Sequence, residues 1–188
     1  MGALNKKSGL ETFAPAGFQL QEFWQWAGSD LLSNTQRGIL AEYLVAKAVG
    51  SAGGVRTEWD AVDVVTPSDI RVEVKSAAYV QSWTQDKLSS ITFNIAPRKS
   101  WDAQTNEYEG VAGRSADVYV FALLAEKNRD VVNPMDLSQW VFYVISTTRL
   151  DEAVSDQKTI SLRPLLKLNP RDTNFDGLNA AIVSEAKV

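Results

Sequence analysis

The 188-residue chain contains no cysteine and no histidine. Without cysteine it can form neither disulfide bonds nor zinc-thiolate sites, and it has no thiol nucleophile. Without histidine it lacks the imidazole that acts as the base in serine-histidine systems and that carries protons near neutral pH. Any catalysis by this chain must therefore rely on carboxylates, lysine, tyrosine or a hard metal ion.

Long apolar runs and an excess of positive charge are also missing. The longest apolar stretches fall far short of the roughly 20 residues of a membrane span, and Lys6 and Lys7 are not followed by the apolar core of a signal peptide. We therefore expect a cytoplasmic protein without a membrane partner. The net charge of -4 argues against a polycation that coats nucleic acid, but it is compatible with local contacts to nucleic acid.

The chain does contain enough apolar material for one core. Apolar residues make up 45% of the sequence, and the length lies in the range of a single domain. We expect a flexible N-terminal arm over residues 1–16, because Gly, Pro, Lys and Ser there show no apolar periodicity. Residues 17–188 are predicted to form one domain.

The N-terminal part of that domain is predicted to be helical. Aromatic residues over 18–26 indicate a short packed helix, and Asp30 is positioned to cap a second helix over residues 31–49. The apolar residues of the second helix recur at steps of three and four, which predicts a core-facing side. That side consists of Leu32, Ile39, Leu40, Tyr43 and Leu44.

The rest of the chain predicts an α/β fold with a central mixed β-sheet flanked by helices. Alternating or continuous apolar residues predict strands at 62–65, 70–76, 91–95, 117–124 and 140–146. A turn at 66–69 makes the first two of these strands a β-hairpin. Helical segments are predicted at 161–168 and 176–186, and an irregular excursion is predicted at 97–115.

An acidic residue two positions before a lysine is the pattern with the most direct chemical meaning. The pattern is not specific, because it occurs at Glu73, Asp156 and Glu185. Only Glu73 and Lys75 lie in an alternating strand, where a period of two places both side chains on one face. A Mg²⁺-dependent phosphodiesterase needs carboxylate oxygens and a cation that orients water or neutralises phosphate charge, and this pair matches both requirements. The alternative is a solvated hairpin flank whose charges form weak cross-strand pairs.

A further carboxylate would have to come from the strand before the hairpin turn, where Asp60 and Asp63 both stand. A loop of three or five residues places Asp63 on the face of Glu73, whereas a loop of two or four residues places Asp60 there. The sequence pattern alone leaves both residues open.

Several motifs together resemble the helix-hairpin core of the PD-(D/E)xK, or restriction-endonuclease-like, nuclease superfamily. These motifs are Arg37-Gly38-x-x-x-Glu42, Trp59 with Asp63, Glu73-Val74-Lys75-Ser76 and Gln81-Ser82-Trp83. The resemblance covers about residues 30–95 and points to an uncharacterised bacterial branch of the superfamily. It implies a restriction-endonuclease-like core.

The resemblance implies a metal-dependent nuclease that hydrolyses phosphodiester bonds of DNA. By motif position it favours Asp63 over Asp60 and makes Asp63, Glu73 and Lys75 catalytic. Glu42 would complete a Mg²⁺ or Mn²⁺ site with Asp63 and Glu73, although Glu42 is also interpretable as an exposed residue paired with a neighbouring cation. DNA is the implied partner, and a homodimer is a further expectation by analogy.

Three residues around these acids are predicted to bind substrate: Gln81, Ser76 and Arg37. Gln81 places a polar amide just beyond the hairpin, where it can contact phosphate or water. Trp83 is interpreted as a packing residue. Two other functions remain open, namely an inactive nuclease-fold interaction module or accessory subunit of a DNA-processing or defence system, and an assembly protein. The acidic composition favours the interaction module.

Overall fold

The structure is a computed structural model that describes residues 5–57, 61–102 and 107–188, with backbone alone for residues 99–102 and 107–112. Within these residues the chain forms a mixed α/β fold, with helices on both faces of a central sheet, as predicted. The helices are α1 (Leu20–Gly28), α2 (Asn34–Ala48), α3 (Thr147–Val154), α4 (Leu162–Lys167) and α5 (Leu178–Glu185). The strands are β1 (Val64–Val65), β2 (Arg71–Ala78), β3 (Thr92–Asn94), β4 (Arg98–Asp102), β5 (Glu107–Gly113), β6 (Val118–Leu124), β7 (Trp140–Ser146), β8 (Thr159–Ser161) and β9 (Arg171–Thr173).

The central sheet has five strands in the order β1-β2-β6-β7-β9. β2 and β6 are parallel, and their register runs from Val72 opposite Val118 to Ala78 opposite Leu124. The other neighbouring pairs in this sheet are antiparallel. Every residue of β6 is buried, so that both faces of this strand are covered, as is typical of a strand with a continuous apolar run.

The two faces of the sheet carry separate apolar clusters. Val72, Val74 and Val120 belong to the first cluster, which is covered by apolar side chains of α2 and α5. Ala77 and Phe121, from alternate positions, belong to the second cluster, which β3, β8, α3 and α4 cover. Strand alternation therefore places Glu73 and Lys75 on the second face.

Helix α2 begins later than predicted. The Oγ of Ser33 accepts a hydrogen bond from Gln36 N at 3.3 Å, which makes Ser33 the N-cap. The predicted cap, Asp30, instead accepts hydrogen bonds from Leu32 N and Ser33 N, both at 3.2 Å, in the turn that precedes the helix. The prediction of Asp30 as the cap was wrong because the side chain of Asp30 closes this turn, and the helix starts only after it.

The predicted core side of α2 was also partly wrong. Its buried residues are Arg37, Ala41, Leu44 and Val45. Tyr43 is 52% exposed, and Ile39 is only partly buried. Apolar residues surround most of this helix, so that periodicity alone did not distinguish the side that contacts the sheet.

Helix α1 forms as predicted, but the prediction that it is packed was wrong, since none of its residues is buried. Residues 8–19 precede it as a hydrogen-bonded turn, with an isolated bridge between Thr12 and Gln19. The flexibility of the arm over residues 1–16 stays a prediction.

The segment 97–115 was predicted to be irregular, and here the structure differs. β4 and β5 pair antiparallel in this segment, with a register irregularity between Arg98 and Ser100. Their sequences lack the apolar alternation that marks a half-buried strand, so that no periodic signal was present. The short strands β8 and β9 and the helix α3 were also not predicted. Among the described residues, no helix is long and apolar enough to cross a membrane.

Candidate active site

The length of the β1–β2 loop bears on which aspartate shares the face of Glu73. Val65 is paired with Arg71, so that residues 66–70 form a loop of five residues. This odd loop length meets the condition under which Asp63, rather than Asp60, shares the face of Glu73. Asp60 and Trp59, which the sequence analysis also considered, lie outside the described residues.

Asp63 closes the end of this hairpin with its side chain. Its Oδ2 accepts a hydrogen bond from Val74 N at 2.7 Å, whereas its Oδ1 has no partner among the described residues. Burial raises the pKa of Asp63, and the charge of Glu42 acts in the same direction, against the Val74 N–H and Lys75. The Asp63 carboxylate therefore lies within electrostatic range of both Glu42 and Lys75.

Glu73 and Lys75 form a direct ion pair through Glu73 Oε1 and Lys75 Nζ. Their side chains are only 14% and 17% exposed, so that the pair is largely shielded from water. Tyr119 lies opposite Glu73 on β6, and burial followed by the charge of Glu73 raises the pKa of that tyrosine. The solvated hairpin flank considered as the alternative therefore does not describe this pair, because its exposure is low.

Glu42 has a partner that the sequence analysis did not identify. Arg56 Nε and Nη2 donate to the two carboxylate oxygens of Glu42 at 2.5 and 3.1 Å. The two residues lie 14 positions apart, and Arg56 follows a glycine-rich segment without periodicity, so that no sequence signal connected them.

The three predicted metal ligands thus have different partners: Val74 N for Asp63, Lys75 for Glu73 and Arg56 for Glu42. Within the part of the chain that the structure describes, no group of three or more acidic side chains is assembled to hold a metal ion. A metal site built from the described residues alone would use fewer protein carboxylates or would require a change of partners.

The three predicted substrate-binding residues lie in one network centred on Arg37. This arginine is 3% exposed, and burial lowers the pKa of its guanidinium. Its Nε donates to Ser76 Oγ at 3.2 Å and its Nη2 to Asn34 Oδ1 at 2.7 Å. Its Nη1 donates to Leu32 O at 2.8 Å and to Gln81 Oε1 at 3.2 Å. Arg37 therefore connects α2 to β2 and to the segment beyond β2, and its substrate-binding role stays a prediction.

The model of one protein family, described as bacteriophage T4 endonuclease IV, matches residues 20–163. This segment is more than half of the 188-residue chain. The chain belongs to the bacteriophage T4 endonuclease IV family. No curated protein matches the chain. Membership of the endonuclease IV family supports a nuclease that acts on DNA, whereas the PD-(D/E)xK superfamily and the metal dependence stay predictions.

The match includes every candidate residue: Arg37, Glu42, Asp63, Glu73, Lys75, Ser76 and Gln81. In this endonuclease IV family member an open cleft of about 470 Å³ adjoins two of them, Glu42 and Asp63. The cleft lies between α2, residues 51–57 and β1. The sequence analysis assigned three of the residues that line it, Ile39, Leu40 and Tyr43, to the core.

Proposed function

We propose that this chain is a metal-dependent nuclease of the PD-(D/E)xK type that hydrolyses phosphodiester bonds of DNA. In this proposal Asp63 and Glu73 hold the metal, and Lys75 supplies a positive charge next to the reacting phosphate. One observation carries it. Asp63 Oδ1 and Glu73 Oε2 have no partner among the described residues, at the end of one hairpin and with Lys75 in contact with Glu73.

The donor set fits a hard divalent cation. Mg²⁺ is usually held by only one or two carboxylates, together with waters and substrate phosphates, so that two available carboxylate oxygens are sufficient. When bound, such an ion supplies positive charge that polarises a phosphate for nucleophilic attack by water. Both oxygens of Glu42 are bound by Arg56, and a ligand role for Glu42 would require it to exchange that arginine for the cation.

The side chain of Lys75 has the clearest task in the reaction. Hydrolysis forms a bond between a water oxygen and phosphorus and breaks the bond from phosphorus to one sugar oxygen, which takes up a proton. Negative charge on the phosphate oxygens increases as this happens. An ammonium group on the face of Glu73, largely shielded from water, can donate to such an oxygen and is worth more there than in bulk solvent.

The hydrogen-bond network around Arg37 connects the two elements that carry the candidate residues. Because its guanidinium is buried and bonded to α2 and β2, it holds the strand of Glu73 and Lys75 against the helix of Glu42. We therefore assign Arg37, Ser76 and Gln81 to positioning of the site.

The test is a cleavage assay with plasmid, linear and single-stranded DNA in Mg²⁺, in Mn²⁺ and in a chelator. We expect Glu73→Ala and Lys75→Ala to lower kcat/KM by about 100-fold or more, the usual cost of losing a group that stabilises the transition state. The matched control is Lys158→Ala, because Lys158 belongs to another acid-x-Lys pattern and is exposed. Circular dichroism would verify that each variant is folded.

The outcomes separate the parts of the proposal. Wild-type rates in both variants would overturn the assignment of Glu73 and Lys75, and full activity in the chelator would overturn the metal dependence. A second candidate function, an inactive interaction module on the nuclease fold, is favoured by one observation, since Arg56 binds both carboxylate oxygens of Glu42 and Lys75 binds one of Glu73. DNA binding without cleavage by the wild-type protein under every metal condition would support it.

A further inference from the structure

Helix α2 has a second apolar stripe, of which Ile39 and Tyr43 lie outside both apolar clusters and Ala46 packs at the edge of the first cluster. Ile39, Tyr43 and Ala46 follow one another at steps of four and three, which places them on one side of the helix. All three line the open cleft, and Tyr43 is 52% exposed. The stripe extends along about 10 Å of the helix at 1.5 Å per residue. An apolar surface of this kind beside charged residues is typical of a binding site.

The cleft reaches the proposed active site at Asp63, whereas Glu73 and Lys75 are not part of its lining. Asp63 and Glu42 are part of its lining, and the Asp63 side chain is also hydrogen-bonded to Val74 N on β2. Asp63 thus borders both the cleft and the strand that carries Glu73 and Lys75. A phosphate held beside these residues would have the cleft directly next to it, in the position of a neighbouring nucleoside.

The lining of the cleft has the chemistry that a nucleobase requires. The ring of Tyr43 and the apolar side chains of Ile39 and Val55 suit the flat faces of a base, which stack on aromatic rings irrespective of sequence. Lys6 at the cleft supplies a positive charge, whereas Arg56 is engaged by Glu42. The volume of about 470 Å³ lies within the usual range of small-ligand sites, roughly 300–1,000 Å³.

We propose that this cleft binds the nucleobase next to the scissile phosphate, out of the base stack, with Tyr43 as the surface on which that base rests. The inference rests on the proposed function, because it assumes that the scissile phosphate binds beside Asp63 and Glu73. A base that is paired and stacked in a duplex is inaccessible to such a cleft, so that the base must be unpaired or turned out of the helix.

The experiment combines a protein variant with a modified substrate. A fluorescent single-stranded oligonucleotide is compared with a series in which one nucleotide at a time lacks its base. Binding is measured by fluorescence anisotropy at fixed ionic strength in Glu73→Ala protein, with and without Tyr43→Ala. Loss of one stacked base costs about 10-fold in affinity, within the range known for aromatic stacking.

We expect Tyr43→Ala to weaken binding about 10-fold and Tyr43→Phe to bind as the parent protein does, because the ring is retained. Removal of the base at one position should cost the parent protein about 10-fold and the Tyr43→Ala protein almost nothing, because the base and the ring are then partners in one contact. Phe18→Ala, a half-exposed aromatic outside the cleft, is the matched control and should bind normally.

Three results would overturn the proposal. First, if base removal and Tyr43→Ala each lower the DNA affinity independently, their two fold-losses multiply and the base does not contact the ring. Second, an equal loss of affinity in Phe18→Ala means that the effect is not specific to the cleft. Third, a changed sedimentation coefficient in Tyr43→Ala means that a second copy of the chain covers the cleft. A gel of the same samples reports whether Glu73→Ala protein cuts the oligonucleotide. Cutting would overturn only the assignment of Glu73, and the cleft would then be tested by initial cleavage rates of the wild-type and Tyr43→Ala proteins.

Discussion

The buried arginine of α2 allows the sharpest test of how this fold supports its site. We consider Arg37→Met, which retains much of the apolar stem but removes the guanidinium. Four hydrogen bonds from Arg37 would be lost, and the oxygens of Leu32, Ser76 and Gln81 would lose a donor inside the protein. The side chain is 3% exposed, so that water can replace these bonds only after local rearrangement.

The expected loss of stability follows from these contacts. A hydrogen bond to a charged group contributes about 1.5–3 kcal/mol, but the desolvation of the guanidinium in the native protein offsets part of that gain. We therefore expect Arg37→Met to lower the free energy of unfolding by about 3–5 kcal/mol, because three internal acceptors lose their donor at about 1–3 kcal/mol each and the removed desolvation cost of the guanidinium offsets part of that loss. A domain of this size then melts about 6–20 °C lower.

Urea unfolding followed by circular dichroism measures this change. Arg37→Lys should lose less than Arg37→Met, because the ammonium retains the charge but not the planar fork that reaches several acceptors at once. Arg163→Met on α4 is the matched control, since Arg163 is exposed, and it should stay within about 0.5 kcal/mol of the wild type.

One outcome would refute the positioning role. If Arg37→Met loses less than about 1 kcal/mol of stability but DNA cleavage disappears, the guanidinium acts on the substrate, as the sequence analysis predicted. Equal losses of activity and of folded protein at the assay temperature would support positioning.

Three further changes are predicted. Asp63→Asn preserves an acceptor for Val74 N and removes a partly buried charge, so that unfolding experiments should show unchanged or slightly higher stability while cleavage is lost. Clear destabilisation would contradict this prediction. Hydrogen bonds from Arg71 hold the pKa of Asp117 below its usual range, so that this pair stabilises the fold above the ordinary aspartate pKa and the benefit disappears as the pH falls through the lowered value. Asp117→Asn should therefore cost no more than about 1 kcal/mol at neutral pH, since both side chains are substantially exposed. The unfolding curves of the two proteins should begin to approach each other near pH ~4 and should coincide only below the lowered pKa of Asp117. Thr147 Oγ1 is buried without a hydrogen-bond partner among the described residues, so that Thr147→Val should raise stability by about 1 kcal/mol in a thermal melt, and a loss would indicate a water bound to this hydroxyl.

The sequence by itself determined the chemistry that is available and the framework of the fold. The absence of cysteine and histidine restricts catalysis to carboxylates, lysine, tyrosine or a metal, whatever the fold. The strands at 117–124 and 140–146 were predicted because a strand covered on both faces must be apolar at nearly every position, and the structure confirms both. The helical segments predicted at 161–168 and 176–186 are also confirmed, as α4 and α5.

Short or polar elements were not predictable in this way. β9 has no buried residue and β8 has only one. Each is a three-residue strand that is held mainly by backbone hydrogen bonds to its neighbour, so that its sequence shows no apolar pattern. In β4 and β5 the sequence shows no alternation, and the strands exist because they pair with each other. A local pattern cannot reveal pairing between segments that are distant or weakly apolar.

The tertiary structure alone decided the surroundings of the candidate residues. The sequence placed Glu73 and Lys75 on one face of a strand. The length of the hairpin loop, five residues, and the pairing of Arg56 with Glu42 across 14 positions appeared only in the structure. These outcomes depend on which segments meet, and that is determined by the packing of the whole core. For the same reason α2 buries Arg37 and leaves Tyr43 half exposed, because the sheet covers only one side of a helix that is apolar on several sides.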